Sequence, residues 1–400
     1  MDPVINVVQP ALGERELAAV REVFESNWVG RGARTTAFEA AFARHLGVGS
    51  EHVTATNSCT SATFMAMELL GLGPGEEVVL PTVSFVAVGN AIAACGARPV
   101  FCDVDEATLN PTVADVEAVL TERTRAVVIL HYGGRPGAVA EIAELCRDRG
   151  VQLIEDAALA VASTVDGRAC GTFGDMGLWS FDHAKIVVTV DGGMLYVRDP
   201  ELAARAPEVA YLGLKRPASG SSGPSTSFHS GFDQALRSNS RWWDYDVASF
   251  SRRSTTNDVL SAIGTVQLSR LEEFVDRRRE IARAYDEGLA GVAGLRLPPP
   301  LPVGHTTSHF MYWVQFENGV RDRVARDLYE RSIYTTFRYP LMHRVGAYGS
   351  NAVLPRAEAA AERTLLLPIH QSLSDADVDR VITEVRDCVA ARSGGARATA

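Results

Sequence analysis

Two carboxylates close one apolar run in this chain, and a lysine follows shortly after another. In VQLIED the apolar residues lead into Glu155-Asp156, and in LWSFDHAK the run Leu178–Phe181 is followed by Asp182, His183, Ala184 and Lys185. Short apolar runs bounded by Gly and Asp predict buried strands, and the C-terminal edge of an open α/β sheet is where ligands bind. Asp156 and Lys185 are therefore expected to leave one sheet edge and converge on one cleft. Lys185 precedes Ile186-Val187-Val188, a setting that disfavours the charged ammonium. The neutral amine is the form that attacks an aldehyde to make an imine. Of 39 basic residues only Lys185 and Lys215 are lysines. A bias towards Arg and Ala codons explains that scarcity but not where the two lysines stand. The plainer alternatives are a helix N-cap for Asp156 and a surface charge for Lys185.

A third feature is suited to an anion. Thr56-Asn57-Ser58-Cys59-Thr60-Ser61-Ala62 precedes an amphipathic pattern over Thr60–Leu70, so hydroxyls and free backbone N–H groups gather at a helix start. Most such Ser and Thr residues simply cap helices. Ser180 adds a hydroxyl near Lys185. Gly71–Gly75 lies after a helix and before a strand, the reverse of a dinucleotide-binding loop. His131, His183, His309, His343 and His370 show no metal-ligand spacing, and there is no G-x-S-x-G elbow or P-loop.

The elements that must position these residues alternate. Strands are expected at Glu77–Leu80, Pro99–Val104, Ala126–Leu130, Gln152–Ile154, Leu178–Phe181 and Met194–Val197, with helices such as Val139–Arg149 between them. That order predicts an α/β domain around a mostly parallel sheet. Residues 214–245 are rich in Gly, Ser and Pro and read as a long excursion, a lid, a subunit-spanning arm or plain disorder, in which Trp242 and Trp243 line a lid or simply pack. Asn257–Leu289 reads as one continuous amphipathic helix linking two domains. The remainder, with strand-like Phe310–Phe316, helix-like Arg321–Ser332 and a final helix over Ser374–Val389, predicts a smaller α+β domain. The expected division is 1–256 and 257–400.

Composition narrows the function class. The 400 residues are 46% hydrophobic with a formal net charge of −10 and pI near 5.5, which offers no basic field to nucleic acid or anionic membrane. No run is long enough to span a bilayer and the start lacks a secretory pattern, so the expected location is the cytoplasm. Six scattered cysteines without a C-x-x-C pair read as reduced, buried thiols.

With these residues in hand, the chain resembles the DegT/StrS-type sugar aminotransferases, a family of pyridoxal-phosphate enzymes with the aspartate-aminotransferase-like fold, type I. The likeness runs almost end to end: PALGERELAAVREVFESNWVGRGARTTAFEAAFARHLGV, GPGEEVVLPTVSFVAVGNAIAACGARPVFCDVD, EDAA, SFDHAK, DGGMLYV, SAIGTVQLSRLE, YPLMH and LPIHQSLS appear in order. The resemblance implies pyridoxal 5′-phosphate held as a Schiff base on Lys185, with Asp156 at the ring nitrogen, Phe85 stacking on the ring, and Thr60, Ser61 and Ser180 at the phosphate. It implies a homodimer with shared active sites and no metal. Three departures stand out. Leu159 replaces a Gln or similar polar group near the cofactor hydroxyl, Arg253 aligns with an Asn that reaches the neighbouring subunit's phosphate, and the excursion before it is long. Tyr339 and His343 align with the substrate side of the pocket, or pack between domains.

The implied activity moves an amino group from glutamate or glutamine to a keto-sugar, nucleotide-linked, or to a keto-cyclitol, in specialised-metabolite or glycan biosynthesis. Relatives that remove a sugar hydroxyl carry His in place of the lysine, so Lys185 favours transamination. A different pyridoxal-phosphate reaction on an amino acid or amine is the alternative that Leu159 and Arg253 leave open. A non-catalytic binding or sensor protein on the same fold is the third, although a binder needs neither Asp156 nor Lys185.

Overall fold

The structure, a computed structural model, describes residues 4–215, 245–317 and 319–393. Trp242, Trp243 and nearly all of the 214–245 excursion lie outside the described residues. Seven strands form the main sheet: β1 (Val53–Thr56), β2 (Glu77–Pro81), β3 (Arg98–Cys102), β4 (Thr124–Leu130), β5 (Gln152–Asp156), β6 (Met176–Ser180) and β7 (Gly193–Val197). Their order is β1-β7-β6-β5-β4-β2-β3. The pairs from β3 through β2, β4 and β5 to β6 are parallel, while β7 runs antiparallel to both β6 and β1. The inner strands have apolar, buried middles because helices cover both faces, and their polar residues gather at the strand ends. β1 escaped the sequence reading: Val-Thr-Ala-Thr is short and half polar, and it becomes a buried strand by pairing with β7.

Glu77 opens β2, the strand whose far end leads to Phe85. Its carboxylate accepts from Thr121 Oγ1 at 2.6 Å and from Arg123 Nε at 2.9 Å, and also pairs with Arg98. Burial pushes its pKa up, but the hydrogen bonds from Thr121, Arg98 and Arg123 outweigh that and hold it down from 4.5 to about 2. A depressed carboxyl stabilises the fold above its unfolded pKa, and that contribution is lost as pH falls through the folded value. Glu77→Gln is expected to lower urea stability by about 1–3 kcal/mol at pH 7, and the gap to wild type should shrink by more than half at pH 3. A gap of the same size at both pH values would contradict this account.

The expected continuous helix over 257–289 is two helices, Asp258–Ser269 and Leu271–Leu289, broken at Arg270 (φ −103°, ψ 3°). Apolar periodicity runs through the break because Leu268 before it and Leu271, Phe274 and Val275 after it face the same core, so the pattern alone could not reveal it. The first half packs on the N-terminal helices. Asp258 accepts from the N–H groups of Gly32 at 2.7 Å and Thr35 at 3.0 Å, and Gln267 donates to the Ala11 carbonyl at 2.9 Å.

The second half joins Arg321–Glu330, Asp375–Ser393 and an antiparallel three-stranded sheet (Leu295–Arg296, Tyr312–Phe316, Thr364–Leu367) around a separate apolar cluster, to which Ile5 also belongs. Arg278, 1% exposed, donates to the carbonyls of His309 (3.1 Å), Phe310 (3.3 Å) and Ile369 (3.0 Å). It thereby fixes Phe310, whose ring touches the site.

Candidate active site

β5 and β6 end side by side, with Asp156 paired to Leu178 in register. Side chains alternate along a strand, so neighbouring Glu155 and Asp156 point to opposite faces. Glu155 is wholly buried in structure: it accepts from the N–H groups of Gly171 and Gly174, each at 2.6 Å, and pairs with His131 Nε2 at 2.9 Å. Asp156 faces a cavity of about 390 Å³ that Lys185 also lines.

Asp156 is 5% exposed and accepts the Ala158 N–H at 3.1 Å. Burial raises its pKa, with Ala158, Lys185 and His131 pulling the other way. Lys185 sits just past β6, after a turn in which Asp182 accepts the Ala184 N–H at 2.8 Å. Burial lowers its pKa, opposed by Asp182, Cys59 and Asp156, and Arg338 lowers it further. Its Nζ lies 4.9 Å from the centroid of the Phe310 ring. The site thus holds an amine pushed towards neutrality and a carboxylate whose ionisation burial opposes.

The cavity floor comes from the start of the helix Cys59–Leu69. Ser58 caps it, its Oγ accepting the Ser61 N–H at 3.1 Å and donating to Ser61 Oγ at 3.1 Å. Gly193 on β7 permits this packing, because a Cβ there would come within 2.5 Å of the Cys59 backbone nitrogen. Thr60 and Ser180 line the cavity, whereas Ser61 does not. Phe85, 49% exposed, lines it from the start of the helix Val86–Ala94, its ring 5.6 Å from that of Tyr339.

The other expected residues divide. Tyr339 lines the cavity, whereas His343 does not. Buried His343 bonds Thr82 Oγ1 through Nδ1 at 2.7 Å and Glu358 through Nε2 at 3.1 Å, which ties its segment to the end of β2. Arg253 is exposed, outside this cavity, with its guanidinium 5.9 Å from the Tyr211 ring centroid. Leu159 is 1% exposed in the apolar core and supplies no polar group. Lys215, the other lysine, is exposed away from the site. Sequence reasoning missed Phe310, which resembles any strand residue, and Arg338, which lines the cavity and stands directly before Tyr339 in RYPLMH.

A buried carboxylate, an amine, an exposed aromatic ring and hydroxyls at a helix start fit pyridoxal phosphate. A cationic ring nitrogen would relieve the burial of Asp156, and the helix start offers N–H groups to a phosphate. The volume lies within the usual range for such sites.

The sequence profile of the DegT/DnrJ/EryC1/StrS aminotransferase family matches residues 10–386. The chain is 54% identical to the dTDP-4-dehydro-2,3,6-trideoxy-D-glucose 4-aminotransferase of Saccharopolyspora spinosa, over 96% of this chain and 97% of that one. It is 33% identical to the GDP-perosamine synthase of Caulobacter vibrioides, over 95% and 96%. Among solved structures, the aminotransferase TlmJ from Streptoalloteichus hindustanus superposes with a TM-score of 0.90 at 60% identity, covering 97% of this chain and 99% of that one. The architecture is the aspartate-aminotransferase-like α/β fold, type I.

Proposed function

The chain belongs to the DegT/DnrJ/EryC1/StrS aminotransferase family, and from that premise we propose that it uses pyridoxal phosphate to aminate a nucleotide-linked keto-sugar, with glutamate or glutamine as donor. The observation that carries this reading is the meeting of Asp156 and Lys185 in one cavity. Identity of 54% to an enzyme named for a dTDP-linked 4-keto deoxysugar makes that sugar class the acceptor to try first.

When bound, pyridoxal phosphate supplies an aldehyde for an amine and a ring that accepts electrons from a carbon losing its proton. Lys185 would hold the group through its amine, and its free amine would take the proton from the donor Cα. Asp156 keeps the ring nitrogen protonated. Thr60, Ser61 and Ser180 hold the phosphate, with the free N–H groups at the start of the helix Cys59–Leu69. Phe85 covers the ring and Tyr339 faces the substrate. His343, engaged by Thr82 and Glu358, braces that wall without touching substrate. Arg253, exposed and outside its own chain's cavity, reaches the neighbouring subunit's phosphate in a homodimer. No helix among the described residues is long and apolar enough to cross a membrane, which is consistent with a cytoplasmic enzyme.

The test is a pair of half-reactions followed by visible absorbance after loading the protein with pyridoxal phosphate. Glutamate or glutamine should bleach the colour, and a dTDP-linked 4-keto deoxysugar should restore it. A protein whose absorbance no amino donor alters is not an aminotransferase of this kind.

A further inference from the structure

A second cavity, of about 350 Å³, shares no lining residue with the first. Met311, Trp313 and the run from Leu297 to Leu301, with its three prolines, make much of its wall. Two charged groups line it from different parts of the chain: Arg135 from the loop after β4 and Asp286 from the helix Leu271–Leu289. Arg135 is part-buried, its Nη2 donating to the Pro299 carbonyl at 2.6 Å and its guanidinium carbon 5.7 Å from the centroid of the Trp313 ring. Burial lowers its pKa, and Asp286 pulls the other way. Asp286 Oδ1 accepts the Tyr312 hydroxyl at 2.7 Å. Among the described residues, neither charge forms an ion pair, with the other or with any third side chain. His309 also lines the cavity. Burial, with Arg279, Arg135 and Arg278 nearby, pushes its pKa down to about 4, so at neutral pH it adds no charge.

We propose that this cavity binds a free α-amino acid with a large apolar side chain, its carboxylate on Arg135 and its ammonium on Asp286. None of the residues involved belongs to the cofactor cavity, so the site does not depend on the aminotransferase reading. A few polar groups set in an apolar wall are the usual make-up of a small-ligand site, and the volume lies in the usual range. A guanidinium without a carboxylate partner can take one in fork geometry, with two parallel hydrogen bonds. Asp286 keeps one oxygen beyond its bond to Tyr312, which an ammonium can use. An α-amino acid carries both groups on one carbon, so one small molecule meets both charges. A simple carboxylate would leave Asp286 without a cation, and a simple amine would leave Arg135 without an anion. The side chain has the prolines, Met311 and Trp313 to cover it, which disfavours the polar side chains of glutamate and glutamine.

The experiment is calorimetry on cofactor-loaded protein treated with borohydride, which stops an added amine from exchanging onto the cofactor. The probes are L-phenylalanine, 3-phenylpropanoate, which lacks the ammonium, and 2-phenylethylamine, which lacks the carboxylate. L-phenylalanine should bind once per chain, about tenfold or more tighter than either analogue. Arg135→Gln should weaken L-phenylalanine and 3-phenylpropanoate about tenfold to a hundredfold and leave 2-phenylethylamine no weaker. Asp286→Asn should do the reverse, weakening L-phenylalanine and the amine while leaving 3-phenylpropanoate no weaker. Asn can still accept the Tyr312 hydroxyl, so this variant carries the test if Arg135→Gln, which loses the bond to Pro299, does not fold. Binding of L-phenylalanine that neither variant alters would place it elsewhere, in the first cavity or on the surface, and overturn the proposal. So would equal or tighter binding of either analogue, or no saturable binding of L-phenylalanine.

Discussion

Lys185→Ala protein is expected to fold normally, to resist borohydride fixation of the cofactor, and to lose turnover by about 10²–10⁴-fold or more, the range for removal of a positioned general acid–base. The loss should be steep because no other amine can stand in: Lys215, the chain's second lysine, is exposed and does not line the cavity. Stability should change little. Among the described residues no carboxylate forms an ion pair with Lys185, so its truncation breaks no direct salt bridge, and its pull on Asp156 is secondary to the burial that dominates that carboxyl. The truncation leaves a space shaped like an aminobutyl chain, so small primary amines such as ethylamine should restore part of the rate in proportion to their concentration. Lys185→Arg should not be rescued, since the guanidinium fills the space and stays protonated. Borohydride fixation that persists in Lys185→Ala would remove the assignment.

The proposed catalytic pair was legible in the sequence because Asp156 closes one apolar run and Lys185 follows another by four residues, and both runs are the buried strands they were expected to be. Alternation could even have chosen Asp156 over Glu155, had the facing been known; the structure supplies it through Gly171, Gly174 and His131, none of which is near Glu155 in sequence. The parallel core of the sheet was legible for the same reason. What stayed hidden depends on tertiary contact. β1 is a strand only because β7 lies beside it, and the break at Arg270 leaves no mark on the apolar stripe because Leu268, Leu271, Phe274 and Val275 face one core on both sides of it. His343 follows the same logic in reverse. It stands in YPLMH beside the cavity-lining Tyr339, yet its ring turns away to Thr82 and Glu358, and half-buried Arg338 lines the cavity instead.

Asp156→Asn should lower turnover by about 10²–10³-fold, in the range seen when one preorganised electrostatic partner is removed from a reacting group. Shape is conserved, so the loss isolates charge. In the structure as it stands, burial opposes ionisation of Asp156, and Lys185 and His131 only partly offset this. A cationic ring nitrogen placed against the carboxylate reverses the balance, and each partner then holds the other in its charged form. Asn can accept a hydrogen bond but cannot stabilise the positive charge, so the ring becomes a weaker acceptor of electrons and the cofactor dissociates more readily. A cofactor analogue methylated at the ring nitrogen carries its charge permanently. It should recover a substantial part of the turnover in Asp156→Ala, where the smaller side chain leaves room for the methyl group, while impairing wild type. If Asp156→Asn instead works within about fivefold of wild type, below the span that loss of such a partner produces, the carboxylate only braces the turn after β5, through the Ala158 N–H it already accepts.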